Sequence, residues 1–137
     1  MLFDLERVKE NKIRARETRA NNFVIKRVFS DFERRILELD IKWENGLIEG
    51  CREIDLKELK QNNNVLVSEF SNANTKDLSL DLYANLMQLH WSNDPYTDFS
   101  EKIKLLKPKG QFFCCLFGTK TLEELRDCFA KAEMKVL

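Results

Sequence analysis

Apolar residues recur at helical spacing in the first third of the chain. Val24, Val28, Phe32 and Ile36 fall every four residues, and Leu39 follows. This places one apolar stripe on a helix of about 20 residues, with Arg27, Arg34 and Arg35 elsewhere on its surface. Residues 4–20 predict an earlier, highly charged helix with a thin stripe of Leu5, Val8 and Ile13. Asn21-Asn22 separates the two and offers a cap.

The period changes after Glu44-Asn45-Gly46. Residues 46–50 are short, apolar and bounded by glycines, which suits a brief buried strand. Asp55 can cap a short helix through Leu59, and Asn62-Asn63-Asn64 reads as a turn. Residues 65–70 predict a second strand, rich in β-branched side chains. After a polar loop at 71–79, residues 80–89 form a third apolar segment ending in His90-Trp91. Ser92-Asn93-Asp94-Pro95 is a turn. Phe99, Ile103 and Leu106 predict a helix of about ten residues, with Asp98 or Ser100 near its start and Pro108-Lys109-Gly110 as its stop. Residues 112–117 are continuously apolar, as in a strand covered on both faces. Thr121 and Glu124 read as a capping box for a last helix bearing Leu122, Leu125, Phe129 and Ala132. Strands alternating with helices imply a parallel sheet with right-handed crossovers.

The length of 137 residues suits one folded unit, and 43% hydrophobic residues with ten Phe can fill a core. We divide it into an N-terminal helical arm, 1–42, and an α/β core, 43–137. Formal net charge is zero, so the total points to neither nucleic acid nor an acidic ligand. The distribution is uneven. Arg7 to Arg27 holds eight Lys/Arg against two acids, whereas Glu38 to Asp81 holds ten acids against five bases. The basic stretch is either a solvated helix face or a docking arm for an acidic partner. It lacks interleaved aromatics, which argues against a nucleic-acid module. No apolar run reaches the ~20 residues that span a bilayer. The start, Met-Leu-Phe-Asp-Leu-Glu, does not read as a secretory leader, and Asp4, Glu6, Glu10 and Glu17 oppose a transit peptide. Cys51, Cys114, Cys115 and Cys128 form no Cys-x-x-Cys pair and there is one His, so no metal site is expected. Reduced thiols in the cytoplasm are the simplest reading, with Cys114 and Cys115 as core thiols.

In an open parallel sheet, ligands bind beyond the carboxyl ends of the strands at the switch point. Three strand ends qualify: Gly50 to Ile54, Glu69, and His90-Trp91.

The motifs Leu89-His90-Trp91-Ser92-Asn93-Asp94-Pro95, Leu106-Lys107-Pro108-Lys109-Gly110, Phe117-Gly118 and Thr121-Leu122-Glu123-Glu124-Leu125-Arg126 resemble the second half of a class I S-adenosylmethionine-dependent methyltransferase core. The similarity is to the branch holding the malonyl-carrier-protein O-methyltransferase of biotin synthesis and a methyltransferase-like complex I assembly factor that hydroxylates an arginine. Leu2-Phe3-Asp4 and the leading helices resemble that branch too. The resemblance implies a truncated Rossmann-like core of about four parallel strands, in the family's order 2-1-4-5, with helices on both faces. It implies S-adenosylmethionine as cofactor and a small or carrier-bound carboxylate as methyl acceptor. Carried over by position, the cofactor turn is Gly50-Cys51-Arg52 and the ribose-binding acid is Glu69. His90 and Trp91 fall on the substrate side.

Three departures oppose tight binding. Arg52 and Ile54 stand where the family has Gly or small residues, so Ile54 is expected to crowd the cofactor. Residues 71–80 are too few for the family's next helix and strand, and the family's last two strands are not encoded in 1–137. Weak or absent cofactor binding is the expectation. Each site residue also has a plain alternative: Glu69 a solvated strand end, Arg52 a surface ion pair, His90-Trp91 a packed strand end rather than a base. Two functions stay open, a methyltransferase and a non-catalytic fold that works by binding a partner. By resemblance, 112–117 should lie inside the sheet; without its neighbours it becomes an edge, for which we expect a homo-oligomer.

Overall fold

A computed structural model describes residues 2–18, 22–71 and 75–134. In chain order the elements are α1 (Leu5–Glu17), α2 (Phe23–Leu37), β1 (Gly46–Glu49), a 3-10 turn (Glu53–Asp55), α3 (Lys57–Asn62), β2 (Val65–Ser68), β3 (Leu80–Leu86), a 3-10 turn (Leu89–Trp91), α4 (Pro95–Ile103), β4 (Leu106–Cys115) and α5 (Glu123–Met134). The four strands form one parallel sheet in the order β2-β1-β3-β4. This is the expected order, renumbered within this chain. The expected extension of the first helix to residue 20 and part of the 71–79 loop lie outside the described residues.

The period-two alternation of the strands builds two cores. Ile48, Val65, Leu82, Ala84 and Leu86 face α2 and α3, where Phe29, Phe32, Ile36, Leu56 and Leu59 pack on them. Leu47 and Tyr83 face the other side, in a cluster with Leu105, Leu106 and Phe112 that Leu80 joins across the irregularity at the start of β3. All four residues of β1 are buried, as befits a strand with neighbours on both edges.

Several elements differ from the pattern reading. α2 stops at Leu37, and its buried residues are Phe29, Phe32 and Ile36. Val24 and Leu39 are 44% and 46% exposed, so the stripe is set by which turn meets the sheet rather than by strict spacing. The α3 amino end is capped from α2, Leu59 N donating to Glu33 Oε1 at 2.9 Å, while Asp55 accepts from Arg52 N. α4 starts at Asp94, whose side chain accepts from Thr97 N, with Pro95 in the first turn. The largest difference is Leu106-Lys107-Pro108-Lys109-Gly110. It does not separate helix from strand but opens β4, through an irregularity between the pairs Leu80↔Leu106 and Leu82↔Gln111. Proline is tolerated there because β4 is an edge, where its missing N–H disturbs no ladder. Gly110 is needed: a Cβ would stand 2.9 Å from Lys107 O and 3.1 Å from Leu80 O. At the far end β4 stops at Cys115, leaving Leu116 and Phe117 outside. The capping box does not open α5 at Thr121; the helix begins at Glu123, after Leu122 in the left-handed region (φ 57).

α1 buries no residue. It is tied on by polar contacts: Asn93 Oδ1 accepts from Leu2 N and Phe3 N, Asn93 Nδ2 donates to Phe3 O, Lys12 Nζ donates to Gln88 Oε1, and Arg16 pairs with Glu69. Phe3 meets Trp91 edge-on. α1 therefore lies across the carboxyl ends of β2 and β3 rather than along β4. Among the described residues, no helix is long and apolar enough to cross a membrane.

Candidate functional site

The sheet reverses its winding between β1 and β3: the chain leaves β1 toward β2 and leaves β3 toward β4. At that crevice a cavity of about 640 Å³ opens, within the usual size range of small-ligand sites. Its roof is α1, through Leu5, Val8, Lys9 and Lys12. Its walls include Phe70, Trp91 and Phe99, with Lys102 and Lys104 at the α4 side. Its floor is polar and comes from the strand ends, Glu49 and Asn85, which are register partners, and from Tyr83.

The floor is a connected network. Glu49 is 1% exposed and receives Tyr83 Oη at 2.9 Å and Lys102 Nζ at 2.9 Å. Asn85 Nδ2 donates to Tyr83 Oη, and Asn85 Oδ1 accepts from Gln88 N and Leu89 N, which shapes the turn after β3. Lys102 Nζ also lies 5.8 Å from the Tyr83 ring centre. Burial and the charge of Glu49 push the Tyr83 phenol far above its ordinary range, so it stays a neutral donor. Glu49 escaped the sequence reading because an acid within a short apolar run looks like a strand boundary. The signal was its position, one residue before the glycine.

The residues named from sequence scatter around this cavity, and Trp91 is the one that lines it. Gly50 has φ +105, and a Cβ there would lie 1.9 Å from Leu86 O. Its glycine is thus required by the close approach of β3. Cys51 points into the α2 core, and burial pushes its thiol up to about 12. Arg52 is exposed and lies 3.7 Å from Asp55. Glu69 stands at the end of β2 but outside the lining, held by Arg16 at 2.8 Å. His90 is wedged between Trp91 and Phe117, at ring distances of 5.2 and 5.0 Å, also outside the lining. Burial lowers its pKa, helped by nearby Lys12, so its imidazole is neutral near pH 7. Ile54 is 59% exposed and does not line the cavity, which removes the expected crowding. Lys12 pays a desolvation penalty that lowers its pKa, opposed by Glu69. Both Lys9 and Lys12 face the Phe70 ring, at 5.5 and 5.9 Å. The basic helix thus turns part of its charge inward. Among the described residues, no group of three His, Cys, Asp or Glu could hold a metal ion.

A four-stranded parallel sheet of this order, with a cavity at its switch point, defines a Rossmann-like fold. Curated relatives match part of the chain. The mitochondrial arginine-hydroxylase NDUFAF5 of Dictyostelium discoideum is 45% identical over 60 residues, 44% of this chain and 14% of that protein. The malonyl-[acyl-carrier protein] O-methyltransferase of Xylella fastidiosa is 40% identical over 57 residues, 42% of this chain and 19% of that protein. The biotin biosynthesis bifunctional protein BioHC of Saccharophagus degradans is 38% identical over 50 residues, 36% of this chain and 9% of that protein. The match thus spans less than a fifth of each of these relatives. No family model matches, and no solved structure matches significantly. Over these segments the chain is similar to proteins named as an arginine-hydroxylase, an O-methyltransferase and a biotin-biosynthesis protein.

Proposed function

We propose that the protein binds S-adenosylmethionine in the cavity at the carboxyl ends of β1 and β3, as a reduced methyltransferase-type domain acting on a small or carrier-bound carboxylate. The observation that carries this reading is the cavity's place: about 640 Å³ at the switch point of a parallel sheet. The residues present fit the cofactor in volume and surface. Phe70 and Trp91 offer flat apolar walls, and Asn85 with the Glu49–Tyr83 pair offers polar partners. Glu69, at the end of β2 just outside the lining, is the acid that the resemblance assigns to a ribose diol, and it would have to release Arg16 to serve. When bound, S-adenosylmethionine supplies an electrophilic methyl group. This chain's residues need only position the acceptor, since in-line transfer requires no covalent step on the protein. Lys9, Lys12, Lys102 and Lys104 around the cavity provide N–H donors for an acceptor carboxylate. All four cysteines are free, which supports a reducing compartment such as the cytoplasm.

Affinity is expected to be weak, with a dissociation constant above about 100 µM, less than about 5.5 kcal/mol. Arg52 replaces a small residue of the family's turn, and Glu69 is already engaged by Arg16. A second reading, a non-catalytic fold that acts through its surfaces, draws on one observation: α1 roofs the cavity through Arg16–Glu69 and Lys12–Gln88 contacts. Titration calorimetry with S-adenosylmethionine and S-adenosylhomocysteine separates the two. Weak saturable heat supports the first reading. No heat at millimolar ligand leaves the second, and low-micromolar binding overturns the expectation of a weakened site.

A further inference from the structure

Leu2-Phe3 and Asn93, none of which lines the cavity, meet beside it across the length of the chain. Asn93 Oδ1 accepts from Leu2 N at 2.9 Å and from Phe3 N at 2.8 Å, and Asn93 Nδ2 donates to Phe3 O at 2.9 Å. One amide side chain thus grips the backbone of two residues through both its acceptor and its donor. Phe3 completes the grip against Trp91, with ring centres 5.4 Å apart. The gripping side is fixed without α1. Asn85 Oδ1 accepts from Gln88 N and Leu89 N, Trp91 N donates to Gln88 O, and Asp94 Oδ1 accepts from Thr97 N at the start of α4. The gripped side leads straight into α1, which Asp4 caps. No residue of α1 joins either core. Past the grip, Lys12 reaches Gln88 at 2.7 Å and Arg16 reaches Glu69 at 2.8 Å. These points carry α1 from the turn after β3 to the end of β2, over the cavity that Leu5, Val8, Lys9 and Lys12 roof. A segment held by exposed polar contacts opens at small cost, and lids are drawn from such segments.

We propose that α1 is the lid of the cavity and that Asn93, with Trp91, is its latch. Ligand enters and leaves when α1 lifts, and the closed lid supplies part of the binding surface. The identity of the occupant rests on the S-adenosylmethionine reading; the lid does not. Asn93 lies outside the lining, so it is a positioning residue that acts through the helix it holds. A fixed wall would sink apolar side chains into a core, as α2 does with Phe29, Phe32 and Ile36. α1 turns Leu5 and Val8 to the cavity instead, where Leu5 stays 53% exposed. A ligand under the roof covers that apolar surface only while the helix is down. Occupancy therefore favours closure, and loss of the latch weakens occupancy.

Tryptophan fluorescence of the 137-residue protein reads the lid without any ligand. Trp91 lines the cavity and Trp43 is 3% exposed, so quenching by acrylamide reports on Trp91. Asn93→Ala should raise the quenching. Arg16→Ala should raise it too, although its partner Glu69 sits at the other end of α1. Salt at about 0.5 M should have the same effect on the native sequence. Asn93→Asp keeps both acceptor contacts and loses only the donor, so it should fall between native and Asn93→Ala. Exchange of the α1 amides should quicken in the same order, while amides of 80–86 stay slow and show that the sheet is intact. Millimolar S-adenosylhomocysteine then tests the coupling. It should slow α1 exchange and bind about ten-fold more weakly to Asn93→Ala, whose lid is mostly open. Unchanged quenching and unchanged α1 exchange in both alanine variants overturn the lid, whether or not the probe binds. Equal affinity for the native and Asn93→Ala proteins overturns it as well. Absence of binding overturns the cofactor reading instead, and quenching with exchange then upholds or overturns the lid.

Discussion

Glu49 illustrates how one buried charge organises a site. With 1% exposure it is tolerated because Lys102 and Tyr83 both reach it, and together they tie α4 to β1. Removing one partner leaves an uncompensated charge in the interior, which costs about 3–5 kcal/mol. Lys102→Met should therefore lower stability by about that much in urea unfolding, and the double variant Lys102→Met, Glu49→Gln should recover a large part. Gly50→Ala should prevent folding or cost several kcal/mol, because the added Cβ meets Leu86 O at 1.9 Å. His90 carries a pH prediction. Its folded pKa lies below the ordinary 6.5, so the unfolded chain binds its proton first. Its contribution is complete above pH 6.5 and is lost as the pH falls from there through the lowered folded value. Replacing His90 with Phe should flatten the stability profile just below pH 6.5. These residues were unequally legible. His90 drew notice as the one histidine, yet it packs between aromatic rings, whereas Glu49 drew none and forms the cavity floor.

At the scale of elements, α1 and α2 look alike in sequence, both basic and both with an apolar stripe, and they behave differently. α2 buries Phe29, Phe32 and Ile36 against the sheet. α1 buries nothing and is held by one ion pair, hydrogen bonds and the Phe3–Trp91 contact. Exposed ion pairs are worth about 0–1 kcal/mol and weaken with salt. α1 should therefore detach before the rest of the fold. Its amides should exchange faster than those of α2, faster still in high salt and in Asn93→Ala. Glu69→Ala should release the same helix. If Glu69 also meets the ribose, that variant should weaken S-adenosylhomocysteine binding by about 1–3 kcal/mol. The thin stripe of Leu5, Val8 and Ile13 was legible in the pattern; where the helix would lie was not, because its partners are single polar atoms on Gln88, Asn93 and Glu69.

For the whole molecule, β4 is the last strand of the sheet among the described residues, and Lys107, Pro108 and Lys109 blunt its amino half. The relatives place the matching segment within proteins several times longer. The four described strands form one sheet with a cavity at its switch point.

Local patterning alone determined that helices alternate with strands and that the sheet is parallel, though it read 106–110 as a helix stop rather than the start of β4. Continuous apolar runs, glycine turns and four-residue periods are properties of neighbouring residues, so one sequence displays them. Tertiary structure decided the rest. Pro108 lies inside a strand because that strand is an edge, Gly50 is required by a carbonyl of β3, and the cavity floor is Glu49 because β1 and β3 bring it to Tyr83, Asn85 and Lys102. Those contacts join residues dozens of positions apart, and their energies depend on burial and geometry that no local pattern records.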